Sequence, residues 1–135
     1  YAMVRKLQPQ TLISFKQGAS GTEDFATPER EGKSLHERAE KRFGEASGKV
    51  AQRAWESNQD KPNEVCDTLQ PHWWGYNKEV DNEHLTPDQV MERLEAVWTK
   101  DWNLLLNTGP LPDGAIHPTD VATLREVGKR IRTLS

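Results

Sequence analysis

Residues Trp102–Gly114 read WNLLLNTGPLPDG, a short apolar run followed at once by a loop rich in glycine and proline. The run is too short for an ordinary helix, and its continuous apolar character is typical of a buried parallel strand. The same order of apolar run and loop occurs earlier in the chain, at Thr11–Phe15 (TLISF) and at Glu64–Leu69 (EVCDTL). The sequence therefore predicts three buried strands, with loops at their carboxyl ends.

Helical patterns separate or follow these strands. Thr86 and Pro87 form a typical helix start, because threonine caps free backbone N–H groups and proline has none to leave unpaired. Apolar residues then recur at helical spacing in two segments, and we predict that they face inward: Val90, Leu94, Val97 and Trp98, then Val121, Leu124, Val127 and Ile131. The alternation predicts an α/β fold with about three parallel strands and flanking helices. Three strands are too few to close a (β/α)8 barrel, for which ~250 residues are typical.

The stretch 33–61 is polar and interrupts this pattern. Ser34 and Glu37 have the spacing of a capping box, which favours a helix start. Gly44 and Gly48 weaken the helix that follows, and its apolar stripe is thin. We interpret the stretch as an exposed helical insertion within a single segment that covers residues 1–135.

Composition excludes several classes of function. The chain has 135 residues and a formal net charge of −3, with Lys and Arg spread along its length, which argues against nucleic-acid binding. It has no apolar run near the roughly 18 residues that a membrane span needs. Cys66 is the only cysteine, and the histidines show no paired spacing, so we expect neither a disulfide nor a structural zinc site.

Two adjacent tryptophans are the first candidates for ligand binding. Trp73 and Trp74 stand in a loop of Pro, His and Gly, where an exposed indole ring could stack against the C–H face of a sugar. The other three tryptophans have the default interpretation of core packing. They are Trp55, Trp98 and Trp102.

Three separate motifs resemble one enzyme family. The runs LISFKQG–GTEDFATPE, EVCDTL–HWWGYN and WNLLLNTGPLPDG look like the second half of the catalytic barrel of bacterial family 29 α-L-fucosidases, in order and rough spacing. The resemblance implies a partial (β/α)8 TIM-barrel segment of a retaining glycosidase. It also implies a fucosylated glycan or fucoside as substrate and no cofactor, whereas the choice between a cytoplasmic and a periplasmic location stays open. The family's nucleophilic aspartate and fucose-binding histidines lie on earlier strands, and neither motif is present.

The resemblance also assigns site residues. Glu64 matches the glutamate regarded as the general acid/base in many members, and Glu29 matches the one given that role in others. We favour Glu64, because a residue that begins a strand is held rigidly. Trp74 matches a residue that lines the pocket for the methyl group of fucose, and Lys16 replaces an arginine near the sugar. A salt bridge between Lys16 and Asp24 accounts for Lys16 equally well, and Asp24 is the candidate for a substitute nucleophile ~5–5.5 Å from the acid/base.

Other interpretations stay open. The chain could be a catalytically silent, oligomeric module with at most weak sugar binding, or an unrelated α/β binding domain. His72, His84 and His117 do not stand in the contexts of the family's fucose-binding histidines, and we expect them to be surface or capping residues. An arc of three parallel strands leaves one apolar face and two edges open. We therefore expect a homo-oligomer, or a complementing barrel half supplied by another chain.

Overall fold

The computed structural model describes residues 1–15, 22–29, 44–56 and 60–134. The chain divides into two compact units, Tyr1–Val65 and Cys66–Ser135. Within its described residues, the first unit contains two short strands and two helices. In chain order they are helix α1 (Ala2–Leu7), strand β1 (Ser14–Phe15), strand β2 (Phe25–Ala26) and helix α2 (Glu45–Glu56).

The strands of the first unit are parallel, as the sequence predicts. Ser14 pairs with Phe25 and Phe15 with Ala26, and Ala26 also forms a parallel bridge with Asn63. The backbone N–H of Ala26 donates to the carbonyl of Pro62 at 3.0 Å. Three segments of the chain therefore run side by side in this unit.

Strand β1 is shorter than the predicted run Thr11–Phe15. The backbone N–H of Thr11 donates to the carbonyl of Gln8, which ends the turn after α1. The backbone N–H of Ile13 donates to the carboxylate of Asp24 at 2.7 Å, and not to a neighbouring strand. Because these groups are already bonded, strand pairing begins only at Ser14.

Strand β2 was not predicted. Only a loop was expected at the carboxyl end of the run Thr11–Phe15, because a strand of two residues has no detectable periodicity. The prediction of about three strands was therefore one too low for the part of the chain that is described. The predicted helix start at Ser34 lies outside the described residues, and α2 lies inside the predicted polar insertion.

Strand β3 (Glu64–Thr68) crosses from the first unit into the second, and strand β4 (Asn103–Asn107) is its neighbour in a two-stranded sheet. Both match the predicted segments to within one residue. A 3-10 turn (Lys78–Val80) and helix α3 (Pro87–Trp98) lie between them in the chain, and helix α4 (Pro118–Leu134) follows β4. Helix α3 starts with the predicted cap, where Thr86 and Gln89 form a capping box around Pro87.

The core of the second unit lies where α3, α4 and β4 meet. Its buried apolar residues are Leu69, Leu85, Val90, Met91 and Val127, with Leu94, Leu106 and Ile131 packed against them. Two residues predicted to face inward do not do so, because Trp98 and Leu124 are both exposed. Trp98 is the last residue of α3, so it can project past the end of the packed face.

Helix α4 buries polar residues where an apolar stripe was expected. Asp120 and Thr123 are buried, and Leu124 faces solvent. The Asp120 carboxylate binds His84 at 2.6 Å, and the Thr123 hydroxyl donates to the carbonyl of Leu85 at 3.2 Å. These two bonds turn the face that contains residues 120, 123 and 127 toward the core, which moves Leu124 off it.

The position of His84 differs from the one expected. It was expected at the surface or in a cap, but its side chain is only 3% exposed, because it is packed beside Asp120. His72 is exposed, and His117 caps α4 by accepting the backbone N–H of Thr119. Among the described helices, none combines the length and the apolar character that crossing a membrane requires.

Candidate functional site

The loop that follows β3 presents two tryptophan side chains to solvent. Trp73 is 47% exposed and Trp74 is 39% exposed. Their backbone is held from beneath: the Thr68 hydroxyl donates to the carbonyl of Trp73 at 2.9 Å, and the Asn107 amide donates to the carbonyl of Trp74 at 2.8 Å. Because Thr68 and Asn107 are the last residues of β3 and β4, the two strand ends position this pair of indole rings.

The side chain of Gln70 forms hydrogen bonds that connect the two ends of the same loop. Its side-chain oxygen accepts the backbone N–H of Asn77 at 2.7 Å, and its amide nitrogen donates to the carbonyls of Asn77 and Val80 at 2.9 and 3.0 Å. The residue is 2% exposed, so three hydrogen bonds satisfy an amide that burial would otherwise penalise. The loop 70–80 is therefore an ordered frame for the tryptophans.

The segment after β4 passes directly under this loop. A Cβ atom on Gly109 would lie 2.2 Å from the backbone nitrogen of Tyr76 and 2.5 Å from the carbonyl carbon of Gly75. Only glycine allows two backbones to approach so closely. The GPLPDG segment thus supports the aromatic loop, a role that could not be predicted from a motif interpreted as a turn.

The two candidate acids lie in the first unit. Glu64 is the first residue of β3 and is half-buried, and Glu29 is half-buried and lies three residues beyond the end of β2. In parallel βα folds, catalytic side chains come from the carboxyl ends of strands. Glu29 meets this criterion, whereas Glu64 stands at the amino end of its strand.

Asp24 is bonded within its own unit. Its carboxylate accepts the backbone N–H of Ile13 at 2.7 Å and forms a salt bridge with Arg5 at 2.9 Å. The bond from Ile13, followed by the bond from Arg5, lowers the pKa of Asp24 below its usual value. These contacts fasten α1 to the start of β1, so they favour a structural role for Asp24. Lys16, its alternative partner, lies outside the described residues.

The geometry is that of an α/β protein in which the ends of two neighbouring strands, β3 and β4, support an aromatic loop. The family model for α-L-fucosidase matches residues 2–133. The chain therefore belongs to the α-L-fucosidase family. No curated protein sequence matches it.

Solved structures of fucosidases have the same fold. The α-L-fucosidase isoenzyme 1 from Paenibacillus thiaminolyticus is 31% identical, with a TM-score of 0.69, over 97% of this chain and 29% of that chain. The α-fucosidase from Thermotoga maritima in complex with fucose is 22% identical, with a TM-score of 0.66, over 97% and 24%. The α-L-fucosidase AlfC from Lactobacillus casei in complex with α-L-fucose is 21% identical, with a TM-score of 0.64, over 94% and 32%. The chain thus spans less than a third of each of these relatives.

Proposed function

We propose that residues 1–135 are one segment of the (β/α)8 catalytic barrel of a retaining α-L-fucosidase, with residues 33–61 as an insertion. The segment supplies the acid/base side of the site and part of the sugar-binding surface. Membership of the fucosidase family is the observation that carries the proposal. The parallel pairing in the first unit and the supported aromatic loop in the second agree with it.

The proposed reaction is hydrolysis or transfer of a terminal α-L-fucose by double displacement. A retaining glycosidase needs one carboxylate as nucleophile and a second that protonates the leaving oxygen. The second carboxylate is Glu64 or Glu29. The family motif favours Glu64, and the position relative to the strand ends favours Glu29. We propose Trp73 and Trp74 as the stacking surface for the fucosyl group, with Lys16 and Asp24 as further polar candidates.

The two acids can be distinguished in a chimera. This chain would replace the matching 29% of the Paenibacillus thiaminolyticus isoenzyme, whose remaining strands complete the barrel. We expect the chimera to hydrolyse 4-nitrophenyl α-L-fucoside. Replacing the true acid/base by Gln should slow hydrolysis of a fucoside with a poor leaving group by roughly 10²–10⁴-fold, and that of the nitrophenyl substrate much less.

The matched variants are Glu29→Gln and Glu64→Gln, with the exposed Glu83→Gln as control. A leaving-group-dependent loss in one of the first two identifies the acid/base. If neither variant shows it while the chimera stays active, the acid/base lies elsewhere and this part of the proposal is wrong. If the chimera folds and binds fucose but is inactive, the result supports a second function, that of a catalytically silent module.

The second candidate is a catalytically silent, oligomeric module with at most weak sugar binding. Two observations favour it: Asp24 is already bonded to Arg5 and Ile13, and Leu105 in the middle of β4 is 53% exposed. An exposed leucine inside a strand is a candidate contact for another chain. We propose a second copy of the chain as that partner.

A further inference from the structure

A second polar cluster lies in the second unit, outside the proposed fucosidase site. It joins the loop before α3 to the start of α4. Among the described residues, Asp81, His84 and His117 each present one possible metal-ligand atom, and these three atoms all lie within 4.8 Å of one another. Two imidazoles and a carboxylate form a donor set that suits Zn²⁺.

His84 is oriented as a metal ligand would be. Its Nδ1–H donates to Asp120 at 2.6 Å, and the other oxygen of Asp120 accepts the hydroxyl of Thr108 at 2.6 Å. Because a carboxylate is only an acceptor, this bond fixes the proton of neutral His84 on Nδ1 and leaves a lone pair on Nε2. A carboxylate behind the imidazole is the usual outer support of a histidine that binds a metal.

The Nε2 nitrogen of His84 is buried and has no hydrogen-bond partner among the described residues. The side chain as a whole is 3% exposed, so solvent does not compensate for the missing bond. Leaving a buried acceptor unpaired destabilises a folded protein, because the group has lost its hydrogen bonds to water. A bound cation is one partner that would remove this cost, and the two other donors of the cluster are close by.

His117 and Asp81 complete the cluster. The ring of His117 stacks on that of His84, with centroids 4.3 Å apart, and its Nε2 lies 3.3 Å from Asp81. Tyr76 donates its hydroxyl hydrogen to the same carboxylate. Two nitrogens on a tetrahedral Zn²⁺ are roughly 3.3 Å apart, given Zn–N bonds of about 2.0–2.1 Å. The three ligand atoms thus need to approach one another by no more than about 1.5 Å. Because the two stacked rings are only 17° from parallel, their in-plane lone pairs run side by side, so the His117 ring must also rotate out of the stack for both nitrogens to bind one ion.

Metal binding has one local cost. Nδ1 of His117 accepts the backbone N–H of Thr119 at 3.2 Å, so its Nε2 carries the proton before the metal binds. Binding through Nε2 moves that proton to Nδ1 and breaks this hydrogen bond. After the transfer, the Nδ1–H of His117 and the backbone N–H of Thr119 are both donors, so the imidazole must rotate away from Thr119; the hydrogen bond that is lost lies at the long end of the usual range.

We propose that Asp81, His84 and His117 form a binding site for a divalent transition metal, with Zn²⁺ as the best fit. Three protein ligands leave a fourth position for water. The bound ion would connect the loop before α3 with the start of α4. No zinc site was expected from the sequence, because the two histidines are far apart in the chain and only the fold brings them together.

The first test treats the chain with a chelator and then titrates it with ZnCl2. Calorimetry measures the binding, and thermal denaturation with and without Zn²⁺ measures the change in Tm. We expect one Zn²⁺ per chain and a higher Tm. Asp81→Ala should weaken Zn²⁺ binding more than 10-fold, whereas Glu83→Ala, which removes an exposed carboxylate of the same loop, should leave it unchanged. Absence of saturable Zn²⁺ binding to the folded wild-type chain would overturn the proposal.

The histidines are tested with Co²⁺, whose visible absorption reports tetrahedral nitrogen ligation. His117→Asn keeps a side chain able to cap α4 but removes the imidazole, so the tetrahedral Co²⁺ spectrum should be lost. Asp120→Asn keeps the shape of the support behind His84 and should weaken Zn²⁺ binding by roughly 10–100-fold. Circular dichroism confirms that each variant is folded. Unchanged Co²⁺ spectra in both folded variants would show that the metal binds elsewhere and would refute the site.

Discussion

Asp24 is a titratable residue whose carboxylate binds two residues near the start of the first unit, Ile13 and Arg5. Its folded pKa lies below the usual value of about 3.9, because Ile13 and then Arg5 stabilise the carboxylate. A lowered folded pKa stabilises the fold at pH values above the unfolded pKa, and this contribution is lost as the pH falls through the folded pKa. The charge of Asp24 therefore supports the first unit near neutral pH but not in strong acid.

This predicts a pH-dependent effect of Asp24→Asn. The variant should have a lower Tm than the wild-type chain at about pH 7, and the difference should shrink when both are acidified below about pH 3. Thermal denaturation at the two pH values measures it, with the exposed Asp60→Asn as control. An equal Tm difference at both pH values would show that the charge of Asp24 is not used.

Gly109 marks the tightest backbone contact of the aromatic loop. We expect Gly109→Ala to destabilise the chain by about 1–3 kcal/mol or more, because its Cβ atom would displace the backbone of Gly75 and Tyr76. Gly75→Ala is the matched control, since a Cβ atom there has no neighbour within 4 Å. Urea denaturation gives both values. Similar stabilities of the two variants would mean that the two backbone segments do not approach each other so closely.

At the scale of elements, helix α3 begins with two reciprocal hydrogen bonds. The Thr86 hydroxyl accepts the backbone N–H of Gln89 at 3.3 Å, and the Gln89 side chain accepts that of Thr86 at 2.9 Å. Thr86→Ala should lower the free energy of unfolding by about 0.5–2 kcal/mol. Thr99→Ala, at the other end of α3, removes only a hydroxyl that donates to Ala96 and should cost less. If urea denaturation gives the reverse order, the cap does not stabilise the helix.

Local signals predicted some elements well and others poorly. Strands β3 and β4 could be predicted from their short apolar runs, and the start of helix α3 from Thr86 and Pro87. Each of these signals is contained in a few consecutive residues. Strand β2 depends on parallel partners elsewhere in the chain, and no pattern of two residues can indicate that. The buried face of α4 depends on bonds from Asp120 and Thr123 to distant residues, so a count of apolar side chains predicted the wrong position for Leu124.

The candidate site was predictable to a similar degree. The exposed pair Trp73 and Trp74 follows from a loop rich in Pro, His and Gly, and the structure leaves both indoles accessible. The sequence favoured Glu64, which was predicted to begin a strand and does so. The position of Glu29 just beyond the end of β2 could not be predicted, because β2 itself was not. The cluster around His84 was missed, since its members are distant in the chain and only tertiary packing joins them.

At the scale of the whole molecule, the exposed Leu105 predicts association. We expect sedimentation velocity at micromolar concentration to detect a homo-oligomer of the wild-type chain. Leu105→Lys should shift it toward the monomer, because a charge cannot be buried cheaply in a sheet contact. Leu124→Lys, an exposed position on α4, is the control. A wild-type monomer of 15.4 kDa that melts cooperatively would contradict this prediction.

The central claim is that this chain provides part of a fucose-binding surface in an α-L-fucosidase. Titration of the 135-residue chain with L-fucose, followed by tryptophan fluorescence, tests it most directly. We predict a saturable change that disappears in Trp74→Ala and persists in Trp98→Ala, since Trp98 is exposed on α3, outside the aromatic loop. D-glucose should produce no such change. A folded wild-type chain that shows no saturable response to L-fucose, or an equal response in the Trp74→Ala variant, would contradict the account.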